Sequence, residues 1–468
     1  MLTAFCILLT FSAADIDPPA FFAANDELRG YLLEAAENHP QLKARYAEWR
    51  AALEKIPQAK SLEDPMFSYM RFVRSMSARS RVDLAQKFPW FGVLRARGDQ
   101  AAAEADAALA MLYAERNALF ADVKKAYFEY AYLGESTRLT ESQAELLKYM
   151  EETVRSKYEY GLANQDELLR MQIEKDLLQD RYNQFNQFRP ALSARLRAAL
   201  GHGIGEELPW PQTATLPPTP PPGPIAVARA RVANPELESL EHMIESRRQG
   251  IALAKKTRFP EITLEFRYGS MKRPPEPPKR TPILESLGAA NNLLTGGSMS
   301  AIETAMNLNT LSMLDRELDG MPFRDDVMVM VSMNVPIRLK RIRASIEEAK
   351  QMETAAENQK DKKALDLDSA VHAALFGIQD GERRRNLYHD SLIPQAQQAY
   401  ESLQSTYASG MMIETGFLDL LEGVRRVLEF QLEEAAAIKD IQMSAAELEM
   451  LLGGPWTSEA PTEEPKTP

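Results

Sequence analysis

The sequence predicts a mainly α-helical fold with a small β component, in which one strand-hairpin plus long helical-hairpin unit occurs twice. Three observations carry this reading. The first is an internal duplication: Pro40, Leu42, Ile56, Ala59, Lys60 and Pro65 fall without a gap on Pro235, Leu237, Ile251, Ala254, Lys255 and Pro260. The second is a pair of unusually long stretches free of helix breakers. The third is two pairs of short alternating segments at matching places in the two copies. A repeat of this size excludes ordinary solenoids, whose units run about 20 to 50 residues.

The chain has 468 residues, a net charge of -12 and 26% charged residues. That acidic balance gives no basic face for nucleic acid. Beyond the N-terminus no run of about 18 apolar residues exists, so a helical membrane span is not expected. A β-barrel span stays open, because alternating strands leave almost no hydropathy signal.

Residues 1–14 read as an export signal: Leu2 to Phe11 is apolar and Ser12-Ala13-Ala14 offers a small-residue cleavage site. No Lys or Arg precedes the apolar run, and a mis-assigned start with the leader lying upstream is the alternative. The only cysteine, Cys6, lies inside this segment. Its removal would leave no thiol for a disulfide, a metal or a nucleophile.

Repeat 1 covers 15–200. Residues 26–60 follow a helical period, through Leu28, Leu32, Ala36, Leu42, Ala52 and Ile56. Strands are expected at about 65–75 and 81–90, where Val82, Leu84 and Ala85-Gln86-Lys87-Phe88 alternate around a short polar connection. Helices follow at about 94–158 and 163–200. The first of these carries a seam at Leu109, Leu112, Leu119, Val123, Ala126, Tyr130 and Leu133, interrupted only by Arg116. A second seam, Tyr113, Phe120 and Tyr127, lies on a neighbouring face. Two seams mean a helix with partners on both sides. At about 1.5 Å per residue it would reach on the order of 95 Å. The returning helix carries Leu168, Met171, Leu178, Tyr182 and Phe185.

A stiff proline-rich linker, 201–224, precedes repeat 2 at 225–452. There strands are expected at about 261–269 and 326–336, with an insertion at 270–325 between them. Helices are expected at about 342–407 and 413–452. The tail, 453–468, is Pro- and Glu-rich and reads as disordered. Four strands cannot close a barrel alone, and open edges cannot face lipid, so several chains must share one sheet.

Together these residues resemble the outer-membrane efflux protein (TolC-like) family over nearly the whole mature chain. The signals are Asn38-His39-Pro40-Gln41-Leu42, Asp64-Pro65-Met66, Phe88-Pro89-Trp90-Phe91-Gly92 with Arg95-Ala96-Arg97, and the echo Asn334-Val335-Pro336 before Arg338 to Arg343. The turns also match: Tyr160-Gly161-Leu162 before Asp166-Glu167-Leu168, and Ser409-Gly410-Met411 before Phe417-Leu418-Asp419. The resemblance implies a homotrimer with a twelve-stranded outer-membrane β-barrel continued by a periplasmic α-helical barrel. It further implies an exit duct for substrates delivered by an inner-membrane pump and a periplasmic adaptor protein, in the outer membrane of a Gram-negative bacterium. Adaptor contacts would fall on Tyr160, Gly161, Leu162, Ser409, Gly410 and Met411. Asp419 takes one acidic gate position; Gly416 occupies the other, where Glu414 is the expected substitute. The Pro-Trp-Phe-Gly segment is closer to the metal-efflux than to the drug-efflux branch. Gly161 and Gly410 as plain helix caps, and Asp419 as a solvated charge, are the bland alternatives.

The chain's 21 methionines, including Met66, Met70, Met76 and the Met299, Met306, Met313 series, suit soft monovalent copper or silver, but this spacing equally makes a packing seam. No metal site is assigned. His39, His202, His242, His372 and His389 form no short metal-spaced pair, and neither a phosphate-binding glycine loop nor a nucleophile elbow occurs. An enzyme and a cofactor are therefore not expected. A type I secretion exit duct and a periplasmic coiled-coil scaffold are the competing functions. Arg155 and Arg383 to Arg385 are expected either to pair across helices or to be solvated.

Overall fold

A computed structural model describes residues 26–74, 78–161, 163–203, 205–211, 215–271, 325–408 and 416–456. The leader with Cys6, most of the 270–325 insertion with Met299, Met306 and Met313, and Met76 lie outside these. In chain order the elements are α1 (Asp26–Asn38), α2 (Pro40–Lys60), β1 (Met66–Arg71), β2 (Ala78–Phe88), α3 (Val93–Glu159) and α4 (Gln165–Ala199). Then follow α5 (Gly223–Ala233), α6 (Pro235–Lys256), β3 (Ile262–Met271), β4 (Asp326–Met333), α7 (Leu339–Leu387), a π-helical turn (Tyr388–Leu392), α8 (Ile393–Ala408) and α9 (Gly416–Leu451). The described residues form two compact units, one from Met1–Ile56, Asp99–Gln249 and Ala349–Pro468, the other from Pro57–Gly98 and Gly250–Glu348.

The first unit is helical. Of the expected seam on α3, Leu112, Leu119, Val123, Ala126, Tyr130 and Leu133 are buried. On the second seam Phe120 and Tyr127 are buried but Tyr113 is 37% exposed, so that face is covered only from Phe120 onward. One core joins Leu28, Leu32, Leu42, Tyr127, Tyr130, Leu196 and Leu200. A second joins Ala226, Leu237, Val371, Ile378, Leu448 and Trp456. A third gathers Leu147, Met150, Val154, Met171, Phe417, Leu421 and Val424.

Both helical hairpins of this unit end alike. At the end of α4, Gly201 (φ +81) donates to Ala198 O and His202 to Arg197 O. At the end of α9, Gly453 (φ +75) donates to Met450 O and Gly454 to Glu449 O. Each is a Schellman cap that needs a left-handed residue. The glycines also sit where a Cβ has no room: at Gly201 it would lie 2.9 Å from His39 Cα, and at Gly453 it would meet the Ala233 carbonyl.

Four elements depart from the sequence reading. Helix 26–60 breaks at His39, because Pro40 cannot donate to a preceding carbonyl and starts a helix of its own. The linker gives way at Gly223 to α5, whose Ala226 and Ala230 are buried. The helix expected over 342–407 is interrupted at Tyr388–Leu392. There Ile393 N–H reaches back to Tyr388 O, and Pro394, lacking an N–H, follows the widened turn. Within the tail expected from 453, Trp456 is packed, 1% exposed in the second core. Arg229 donates to Pro455 O beside it.

The second unit contains an antiparallel sheet in the order β1-β2-β3-β4. Its register places Phe67 beside Leu84, Tyr69 beside Val82, Leu84 beside Phe266, Phe266 beside Val329 and Leu264 beside Val331. Because side chains alternate along a strand, these residues share one face with Val327 and Met333. Phe67, Leu84, Leu264, Phe266, Val327, Val329, Val331 and Met333 are all exposed on it. The opposite face mixes methionines, Met66, Met70, Met328 and Met330, with a charged cluster: Arg267 donates to Asp83 at 2.9 Å and to Glu265 at 2.7 Å, and Ser68 donates to Asp83 at 3.2 Å. Strands β1 and β4 are edges without a partner among the described residues. Among the described residues no helix is long and apolar enough to cross a membrane.

Candidate functional site at the hairpin turns

The turn between α3 and α4 is set by Gly161 at φ +70, whose N–H donates to Tyr158 O at 3.0 Å. Only a residue without a Cβ takes this backbone at no cost. Nothing lies within 4 Å of the space a Cβ would fill there. Tyr160 projects beside it with 78% of its surface exposed. α4 then begins with Asp166 and Glu167 in its first turn, where carboxylates complement the helix dipole. Leu162, Ser409, Gly410, Met411 and Glu414 fall outside the described residues. Asp419 is exposed in the first turn of α9 and has no ion-pair partner among the described residues.

Sequence spacing did not reveal the groups that tie the two hairpins together near these turns. Lys157 Nζ donates to Tyr407 O at 3.1 Å and stands 3.7 Å from the centroid of the Tyr407 ring. The Tyr407 hydroxyl donates to Glu167 at 3.0 Å, and its ring packs on Phe417 at 5.8 Å. Burial, and then that hydrogen bond to Glu167, hold the Tyr407 hydroxyl protonated well above its ordinary range. Further from the turns, Arg425 forms a two-pronged pair with Glu174, and Gln143 donates to Val424 O at 2.9 Å. The Glu151 carboxyl receives Lys175 at 2.8 Å and Arg155 at 2.9 Å. The Lys175 hydrogen bond, against the cost of burial, keeps it ionised below the usual carboxylate range.

These links flank the third hydrophobic core, which packs α3 and α4 against α9. Exposed ion pairs contribute about 0 to 1 kcal/mol each, so they serve as latches more than as glue. Apart from Arg155 with Glu151, their partners lie on different helices, at separations of up to 251 residues, which no local periodicity encodes. Of the arginines singled out in the sequence, Arg155 and Arg383 pair within their own helices, whereas Arg384 also reaches Asp440 across helices at 2.8 Å. Among the described residues no group of three His, Cys, Asp or Glu is placed to hold a metal ion.

The profile of a family described as Outer membrane efflux protein matches residues 32–202 and 226–454. No curated protein matches the chain by sequence. Among solved structures, the outer membrane protein VceC of Vibrio cholerae aligns at 16% identity and TM-score 0.69, covering 92% of this chain and 97% of VceC. CusC, described in terms of transmembrane channel formation, aligns at 14% identity and TM-score 0.71, covering 93% and 94%. The CmeC outer membrane channel of Campylobacter jejuni aligns at 13% identity and TM-score 0.69, covering 93% and 88%. At these identities the likeness is one of fold.

Proposed function

The chain belongs to the outer membrane efflux protein family, and from that premise we propose that it is the outer-membrane exit duct of a three-part efflux system. The observation that carries the reading is the four-stranded sheet, apolar on one face, bearing the Asp83, Glu265 and Arg267 cluster on the other, and open at β1 and β4 among the described residues. In lipid every backbone N–H and C=O must be satisfied within protein, so open edges are excluded. Three copies joined edge to edge would close twelve strands, with the apolar face to lipid and the Asp83–Arg267 face to the lumen.

On this reading residues 1–14 direct export, and the repeats 15–200 and 225–452 supply the strands of the barrel and the helices of a periplasmic tunnel. The turns at Tyr160, Gly161 and Leu162 and at Ser409, Gly410 and Met411 dock a periplasmic adaptor joined to an inner-membrane pump. Asp419 and Glu414 contribute carboxylates to the tunnel mouth, where three chains would form a ring that repels anions. The test replaces Gly161 with Arg. Export by the cognate pump should be lost while heat-resistant trimers in outer-membrane extracts stay at wild-type yield. Unchanged export sinks the docking assignment, and a water-soluble monomer sinks the duct itself.

A further inference from the structure

Where the strands of the second unit meet its helices lies a cavity of about 510 Å³. Trp90 and Phe259 line it, stacked with ring centroids 5.2 Å apart and planes 6° from parallel. Four cations also line it: Arg97, Lys256, Arg338 and Arg341. The one carboxylate on its wall, Glu261, is engaged by Lys87 at 2.7 Å. None of the four cations has an ion-pair partner among the described residues. The cavity therefore holds an excess of positive charge, its one wall carboxylate being engaged by Lys87, which favours an anion brought from outside.

What surrounds the cavity identifies the anion. Phe91, Val335, Ile337 and Leu339 are 83%, 62%, 81% and 61% exposed. Ile337 and Leu339 alternate with Arg338 and Lys340 at the start of α7. The apolar face of the sheet ends next to them, at Phe88 and Met333. A merely solvated basic patch would not carry exposed large apolar side chains between its cations. Apolar groups interleaved with Lys and Arg match the boundary between acyl chains and phosphate headgroups. A free phosphate would use the guanidinium groups but leave the apolar rim idle.

We infer that this cavity binds the phosphodiester headgroup of an anionic phospholipid, such as phosphatidylglycerol, whose acyl chains lie along the apolar face of the sheet. The inference rests on the membrane placement of that sheet proposed above. The guanidinium groups of Arg97, Arg338 and Arg341 present paired N–H donors to the phosphate oxygens. The stacked Trp90 and Phe259 rings close the apolar side. A zwitterionic headgroup carries its own cation and gains less from the cluster.

Full-length protein, purified in detergent and stripped of lipid, is titrated with phosphatidylglycerol or phosphatidylethanolamine and analysed by native mass spectrometry. Phosphatidylglycerol should be retained preferentially, and inorganic phosphate should not displace it. The Arg97→Gln, Arg338→Gln, Arg341→Gln triple variant should lose about 100-fold in phosphatidylglycerol binding. If that variant does not fold, Arg338→Gln with Arg341→Gln, at two exposed positions, should still lose about 30-fold. Equal retention of the two lipids, wild-type retention by the variants, or displacement by inorganic phosphate overturns the inference. Outer-membrane fractionation separates the two readings: a chain absent from that membrane refutes the duct, and a membrane-borne chain without lipid preference refutes only this site.

Discussion

In the first repeat α4 closes on Gly201 against Asn38 and His39, and in the second α9 closes on Gly453 against Ala233. Aligning Pro40 with Pro235 makes Asn38 the counterpart of Ala233 and His39 the counterpart of Asn234. The two copies thus keep the same tight crossing between a helix end and the residue two before a Pro-led helix. They differ in the chemistry of the next residue. Asn234 Oδ1 accepts from Glu236 N at 3.0 Å and Leu237 N at 3.3 Å, and its amide donates to Leu451 O at 3.2 Å. His39 Nδ1 is buried with no hydrogen-bond partner among the described residues. Duplication preserved the backbone path, while each copy kept its own polar contacts.

A second asymmetry is a buried ion pair between the copies. Lys124 on α3 donates to Glu449 on α9 at 2.7 Å, with side chains only 2% and 4% exposed. Burial pushes both groups toward neutrality, lowering Lys124 and raising Glu449, and their mutual attraction opposes this. Carrying the matches Arg97/Arg343 and Gly201/Gly453 along the helices puts Ala370 and Arg197 at the reciprocal positions. Arg197 instead donates to Gly203 O and Glu206 O. The pair therefore exists once. Glu449→Ala should leave a buried ammonium and cost about 3 to 5 kcal/mol, read by chemical denaturation with circular dichroism. Lys124→Met with Glu449→Leu should recover most of that loss; if it does not, packing and not charge holds this crossing.

Shared features yield the next effect. Gly453→Ala meets both a positive φ and the Ala233 carbonyl, and should cost on the order of 3 kcal/mol. Gly201→Ala, pressed against His39 and Asn38, should cost a similar amount. Gly161→Ala has the same backbone but open space, so about 1 kcal/mol is expected. Measured by the same denaturation, equal costs at all three positions would mean that φ alone sets the penalty and that the crossing is not tight.

How much of this could be read from the residues follows from the range of each interaction. The strands announced themselves because alternation at Val82-Asp83-Leu84 or Ile262 to Tyr268 is local. So did α3, whose seam is periodic. The break at His39 and the π turn before Pro394 were also written locally, in prolines whose weight the helical period concealed. Trp456 was lost in a polar, proline-rich tail, although its size alone favours burial. The latches at Tyr407, Glu167, Arg425 and Glu174 and the Lys124–Glu449 pair had no such trace, since only the packed hairpins bring them together. The cationic cavity lies between: Arg95-Ala96-Arg97 and Arg338 to Arg343 were visible as basic runs, but their convergence with Lys256 required the fold.

The smallest expected effect sharpens the comparison by transplanting one copy's solution into the other. His39 occupies the residue before α2, as Asn234 does before α6. An asparagine there can accept from the first free N–H groups of the helix, which the buried His39 Nδ1 does not do. The asparagine amide would find its acceptor at the end of α4, as Asn234 finds Leu451 O at the end of α9, so no buried nitrogen is left unsatisfied. His39→Asn should therefore stabilise the protein by about 0.5 to 1 kcal/mol, seen as a later denaturation midpoint at unchanged slope. A loss of stability would mean that the imidazole contributes packing beneath Gly201 that outweighs the missing cap, and that the two crossings are alike in backbone path but not in how their side chains support it.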